Sequence, residues 1–219
     1  MFIGHYGPAF ALKGAARPIP LWALFLGVQW LDVGWALLVL AGIEKLRIVP
    51  GFTAGSPLDL YYMPYTHGLP GALALSVLFG LIVAGWFGAP RGRLFLVAAA
   101  AAFSHWVLDL VVHVPDLPLY DNHAKVGLGL WRHVGVSASL EIGLLVWGAW
   151  LYARNVPARR AHGDRWLWIY VLFLVLLEIY NLLAPPPPEA RGMAITALAA
   201  YGVLALLAAG VDRARGTSR

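Results

Sequence analysis

Apolar residues run in long blocks along this chain, and polar residues are confined to short breaks between them. A helix needs roughly 20 predominantly apolar residues to cross a hydrocarbon core. Six blocks qualify: residues 20–43, 67–89, 94–114, 134–153, 166–184 and 192–211. The breaks hold Pro50-Gly51, Pro90-Arg91-Gly92, Pro115 with Pro118, Pro157 with two arginines, and four consecutive prolines from Pro185 to Pro188. Proline and glycine beside charge mark loops. The pattern predicts an all-α fold, a polytopic membrane bundle of about six transmembrane helices. No internal repeat is visible, so residues 1–219 read as a single transmembrane domain. Residues 1–145 carry the candidate site, and 146–219 add two helices and a C-terminal tail.

The first twelve residues, MFIGHYGPAFAL, are apolar but too short to span, since twelve helical residues reach only about 18 Å. No basic residue precedes them, and Lys13 and Arg17 follow. That charge order is wrong for a signal peptide. Two placements remain open. The segment re-enters the membrane and is packed in protein, or it lies at the interface as an anchor.

Composition narrows the class. Hydrophobic residues make up 60% and charged residues 12%, with a mean hydropathy of +0.71. A soluble domain carries roughly 25% charged residues. A soluble globule, a disordered chain and a nucleic-acid partner are excluded, the last despite an isoelectric point near 9.7, because the charges are too few to cover a phosphate track. There is no cysteine. That excludes disulfides, thiolate metal sites and cysteine nucleophiles.

Charge placement sets an expected orientation. With the N-terminus in the cytoplasm, 11 of the 16 lysines and arginines fall on the inner side: Lys13, Arg17, Arg91, Arg93, Arg154, Arg159, Arg160, Arg165, Arg213, Arg215 and Arg219. Both termini are then cytoplasmic, in a bacterial inner membrane. Trp22, Trp86, Trp147, Trp150, Trp166 and Trp168 sit at inner helix ends, as an aromatic belt would. A preference for anionic membrane lipid is a second reading of the net +5 charge.

Against this background, four acids fall inside expected spans: Asp32, Asp109, Glu141 and Glu178. Each costs roughly 2.5–3.5 kcal/mol at a helix centre if left alone, so such residues are paired, solvated or bound to a cation. The third span reads Ser104-His105-Trp106-Val107-Leu108-Asp109-Leu110-Val111-Val112-His113. His105, Asp109 and His113 fall on one stripe about 80° wide, and imidazole and carboxylate at that spacing suit a divalent metal. The alternative is a polar stripe satisfied by hydrogen bonds to neighbouring helices. His67 opens the second span at the depth of His113 and Asp116, and Asp32, Glu141 and His105 share a deeper level. His5 joins them only if the N-terminal segment re-enters. Glu178 is expected to pair locally, with Arg191 or Arg132. His133 is expected at the interface, and His123 and His162 in solvent.

The ordered set of Gly4-His5, Gln29-Trp30-Leu31-Asp32, Tyr65-Thr66-His67 and the block from Ser104 to Asp109 carries a family resemblance. His113, Pro115-Asp116-Leu117-Pro118 and Gly127-Leu128-Gly129-Leu130-Trp131 leading to Glu141 extend it. The set resembles the membrane-bound metal-dependent hydrolases, bacterial integral membrane proteins with a distant likeness to zinc-dependent phospholipase C; some members are called permeases. The likeness spans about residues 2–145. His5, Asp32, His67 and His105 with Asp109 match the phospholipase ligands in order and type. The later His-x3-Glu is absent, because Ser137 stands four residues before Glu141, so His113 or His133 would substitute. Met63-Pro64-Tyr65 replaces the arginine and glycine that often precede the Thr-His.

Taken together, the resemblance and the residues imply a hydrolase holding one or two divalent ions, zinc being the metal expected, on His5, Asp32, His67, His105, Asp109 and His113. Glu141 or Asp116 serves as general base for a metal-activated water attacking a lipid or other amphipathic ester. The alternative is a permease using the same cluster as a cation or proton site. Haem ligation by paired histidines is a third option, against which Asp109 between two histidines on one helix argues.

Overall fold

The computed structural model describes residues 1–88 and 90–217. Eight α-helices dominate: α1 (Tyr6–Lys13), α2 (Leu21–Val28), α3 (Trp30–Leu40), α4 (Leu69–Phe87), α5 (Arg91–Val112), α6 (Val134–Asn155), α7 (Gly163–Leu183) and α8 (Ala190–Arg215). Helices α4 to α8 are each long and apolar enough to cross a membrane, and α2 with α3 makes a sixth if the bent pair is counted as one span. Pro20 and Pro90 precede α2 and α5, Pro70 sits in the first turn of α4, and proline is preorganised for helix starts.

The first span is not straight. It breaks at Gln29, and its two halves meet at 56°. Gln29 leaves helical geometry (φ −107°, ψ 10°) and is fully buried. The unbroken run of apolar residues on both sides hides this break from a hydropathy reading.

Two small hairpins close one end of the bundle where plain loops were expected. β1 (Lys45–Ile48) pairs antiparallel with β2 (Leu58–Tyr62), and β3 (Leu117–Tyr120) with β4 (His123–Val126). In the first, Arg47 faces Asp59 across the ladder and binds it at 2.6 Å. Lys125 and Asn122 donate to the Tyr61 carbonyl, so the second hairpin is tied to the first.

The N-terminal segment is inserted into the bundle rather than laid on its surface. A 3₁₀ turn (Ile3–His5) leads into α1, and Ile3, Gly4, His5, Tyr6, Gly7, Ala9 and Phe10 are all buried. α1 runs along α6 and also touches α2 and α5. The crossing depends on glycine. A Cβ on Gly7 would lie 2.5 Å from the Leu144 carbonyl oxygen, and one on Gly148 would overlap the Gly7 carbonyl. Small residues permit such backbone contact between membrane helices.

At the end away from the hairpins, three charges assigned by sequence to topology or to a loop are buried together. Lys13 donates to the carbonyls of Ile19 (2.6 Å) and Arg17 (3.0 Å) and lies 3.4 Å from Asp212. Asp212 also accepts the Tyr152 hydroxyl at 2.6 Å and the Leu21 amide at 2.8 Å. Arg215 is fully buried, stacks over Tyr152 and pairs with Asp164. Pairing and hydrogen bonding offset part of what these charges lose by leaving water.

Candidate metal centre

The centre is assembled by α3, the turn before α4, the C-terminal half of α5, and the inserted N-terminal segment. Nε2 of His67 and His105 are 3.4 Å apart, and each faces Asp32 Oδ1, at 3.4 and 3.5 Å. These are three nearly equal edges. Ligand atoms about 2.0–2.1 Å from a tetrahedral ion sit about 3.3–3.4 Å from one another, so the triangle has the dimensions of one face of a metal site. Asp109 Oδ2 lies 3.0 Å from His105 and 3.7 Å from His67, next to that face.

A second grouping adjoins the first. His5 Nε2 is 3.2 Å from Asp109 Oδ1, and the His5 ring stacks on His105 with centroids 3.9 Å apart. The Met1 amino group meets the same oxygen at 2.9 Å. His113 Nε2 approaches Asp109 Oδ2 at 3.7 Å. Asp109 therefore turns one oxygen to each group. Both groups, His5 with His105 and Asp109, and Asp32 with His67 and His105, have the spacing to hold a metal ion.

The outward nitrogens leave Nε2 as the atom that could ligate a metal. His105 Nδ1–H donates to the Val28 carbonyl at 2.7 Å, the last residue of α2 before the break. His67 Nδ1–H donates at 2.9 Å to the Thr66 hydroxyl, which donates at 2.6 Å to Glu44. His113 Nδ1–H donates to Asp116 at 2.8 Å. Each ring is oriented from behind and presents a lone pair to the centre, the usual arrangement behind metal-binding histidines. His5 lacks such a partner on Nδ1. On the carboxylate side, Tyr201 donates to Asp32 Oδ2 at 2.6 Å, leaving Oδ1 for the triangle.

The lone pair on His105 limits the filling. With Nδ1 committed to Val28, Nε2 serves a single ion, so the two groups cannot both be filled through His105. Were two ions bound, His67, His105 and Asp32 would hold one and His5 the other, with Asp109 shared between them.

All eight site residues expected from sequence lie here, in different places. His5, Asp32, His67, His105 and Asp109 converge, and His113 borders them. Asp116 touches the far side of the His113 ring. Glu141 accepts the backbone amides of Phe2 (2.7 Å) and Gly4 (3.2 Å) through Oε2, and so anchors the segment that carries His5. Sequence reasoning missed Glu44, Thr66, Tyr201 and the Val28 carbonyl, all of which act from behind the ligands. Glu178 was expected to pair with an arginine. It is instead buried, with no ion pair among the described residues and with Oε2 unbonded. His123, His133 and His162 are exposed.

A cavity of about 910 Å³ opens onto the centre. Its polar wall holds Asp32, His67, Asp109, His113, Glu141 and Glu178. Trp35, Leu58, Met63, Trp131 and Met193 make it apolar elsewhere, and residues 50–58 and the prolines at 185–188 form its rim. The last two helices thus line the cavity through Glu178 and Tyr201, although the likeness noted above stopped near residue 145. Compared with family models, curated proteins and solved structures, the chain matches none.

Proposed function

We propose that this multi-pass membrane protein is a metal-dependent hydrolase acting on a lipid or other amphipathic ester. The observation that carries the reading is the 3.4, 3.4 and 3.5 Å triangle of His67, His105 and Asp32. Asp32, His67, His105 and Asp109 would hold the first ion, and His5 with the other oxygen of Asp109 a second, with His113 beside both. A ligand set of imidazole and carboxylate suits zinc. Such an ion supplies Lewis acidity toward a phosphoryl or acyl oxygen and lowers the pKa of water.

The chain's own groups divide the remaining work. Glu141 is fixed through Oε2, which leaves Oε1 to take a proton as general base. Asp116 holds the His113 ring in one tautomer. Trp35, Trp131 and Met193 shield an acyl chain from water. The Lys and Arg asymmetry supports a bacterial cytoplasmic membrane with both termini inside.

A second reading, a cation permease, is favoured by one observation. The broken helix at Gln29 places a buried helix end, the Val28 carbonyl, against His105, and transporters build ion sites at such interruptions.

Elemental analysis of purified protein tests the shared premise. Bound divalent metal, lost in His105→Ala and Asp109→Ala, is expected; a metal-free unmutated protein overturns it. Reconstituted protein then separates the readings. Ester turnover without ion flux supports the hydrolase, and flux without turnover supports the permease.

A further inference from the structure

Glu178 is unexplained by the metal centre. It belongs to neither ligand group, it is 2% exposed, and its Oε2 has no hydrogen-bond partner. It lies on the cavity wall. Ile3 supplies a backbone hydrogen bond to the carboxyl, yet a carboxylate oxygen left without a partner in an apolar span is costly, so a group that arrives with the ligand is the natural source of compensation.

The cavity's charge says what that group is. Among the described residues no lysine or arginine lines it. Among the described residues its ammonium is that of Met1, already 2.9 Å from Asp109. Glu141 on the same wall is engaged by two backbone amides, whereas Glu178 Oε2 is not engaged. Trp35, Trp131 and Tyr201 add aromatic faces to the wall, and aromatic faces attract cations. An anionic head away from the metal ligands would meet Glu141 and Glu178 with no cationic side chain among the described residues to balance them.

We propose that the cavity takes an amphiphile bearing an ammonium group, and that Glu178 is the carboxylate that receives it. The proposal rests on reading the cavity as the substrate chamber, and it names the substrate class. The apolar wall takes the chain, the metal ligands lie at one part of the polar wall, and Glu178 sets which head group is accepted. Glu178 is a specificity-determining residue and not a metal ligand.

Calorimetric titration of detergent-solubilised protein with hexylamine, hexanol and methylamine tests this, in the unmutated protein and in Glu178→Gln. Hexylamine is expected to bind at least about tenfold more tightly than hexanol, since a charge-assisted hydrogen bond to a buried partner has that worth. It is also expected to bind more tightly than methylamine, through the chain. Glu178→Gln keeps the shape and should erase the amine-over-alcohol preference while leaving metal content unchanged. Equal binding of hexylamine and hexanol overturns the proposal, and so does a preference that survives in Glu178→Gln. Equal binding of methylamine and hexylamine overturns the amphiphile part. Metal lost in Glu178→Gln overturns it as well, since the acid would then be a ligand. If Glu178→Gln fails to fold, the comparison of hexylamine with hexanol on the unmutated protein still decides. A Glu178-dependent preference in a protein that holds no metal would leave this proposal standing and sink the metal reading, so the two fail separately.

Discussion

The relay from Glu44 through Thr66 to His67 invites the most exacting test of the metal centre. Thr66→Val replaces the hydroxyl by a methyl of nearly the same size. The substitution removes the acceptor of the His67 Nδ1–H at 2.9 Å and the donor to Glu44 at 2.6 Å. Glu44 stays in place, because its other oxygen still accepts the amides of Tyr65 (2.9 Å) and Thr66 (3.0 Å). The damage is therefore confined to the His67 ring. Freed from behind, that ring can turn or carry its proton on Nε2, where no ligand can have one. Losing such an outer partner typically costs 10–100-fold in metal affinity, or about 1.4–2.8 kcal/mol. Competition with a chelator of known affinity measures it. Thr66→Ser keeps the hydroxyl and should bind metal within about threefold of the unmutated protein, a difference of about 0.7 kcal/mol. If Thr66→Val holds metal as tightly as the unmutated protein, the relay does not orient a ligand, and the inference from Nδ1 partners to Nε2 ligation fails.

Other expectations follow from the same geometry. His5→Ala should remove one ion and leave the other, whereas Asp109→Ala should remove both; mass spectrometry of the intact metal-loaded protein counts them, and equal losses would refute the bridging role of Asp109. Gly148→Ala pushes a methyl into the Gly7 carbonyl and should destabilise the fold by about 1–3 kcal/mol, read from thermal unfolding in detergent, with loss of the His5-dependent ion. Tyr152→Phe removes a 2.6 Å bond to the buried Asp212 and should cost about 1.5–3 kcal/mol while metal content stays unchanged; loss of metal would show that the two ends of the bundle are coupled.

Much of the architecture was legible because a bilayer imposes a length. The apolar blocks around residues 67–89, 94–114, 134–153 and 166–184 became α4 to α7 nearly as drawn. The cluster was legible because Asp32, His105 and Asp109 have no place in hydrocarbon without a partner. What stayed hidden has physical reasons too. The break at Gln29 lies between residues that are apolar on both sides, so hydropathy is blind to it. The strands Lys45–Ile48 and Leu58–Tyr62 are too short for their alternation to stand out from an interfacial loop. Glu44 sat in that loop, where an acid needs no explanation, and only the fold shows it buried behind His67. Tyr201 carries no charge and Glu178 had nearby arginines to suggest a partner. Neither announced a role in a site whose other members come from the first two-thirds of the chain.

The inserted N-terminal segment also sets an order of events. His5 is made well before Glu141, yet the amides that flank it in the fold are held by Glu141, at separations of 139 residues from Phe2 and 137 from Gly4. At about 5–20 residues per second, that partner leaves the ribosome on the order of ten seconds later. Throughout that interval α1 has no α6 to lie against. The centre is closed by an early segment waiting for a much later one, so a nascent protein halted before α6 has most of the candidate ligands but not the clasp that gathers them.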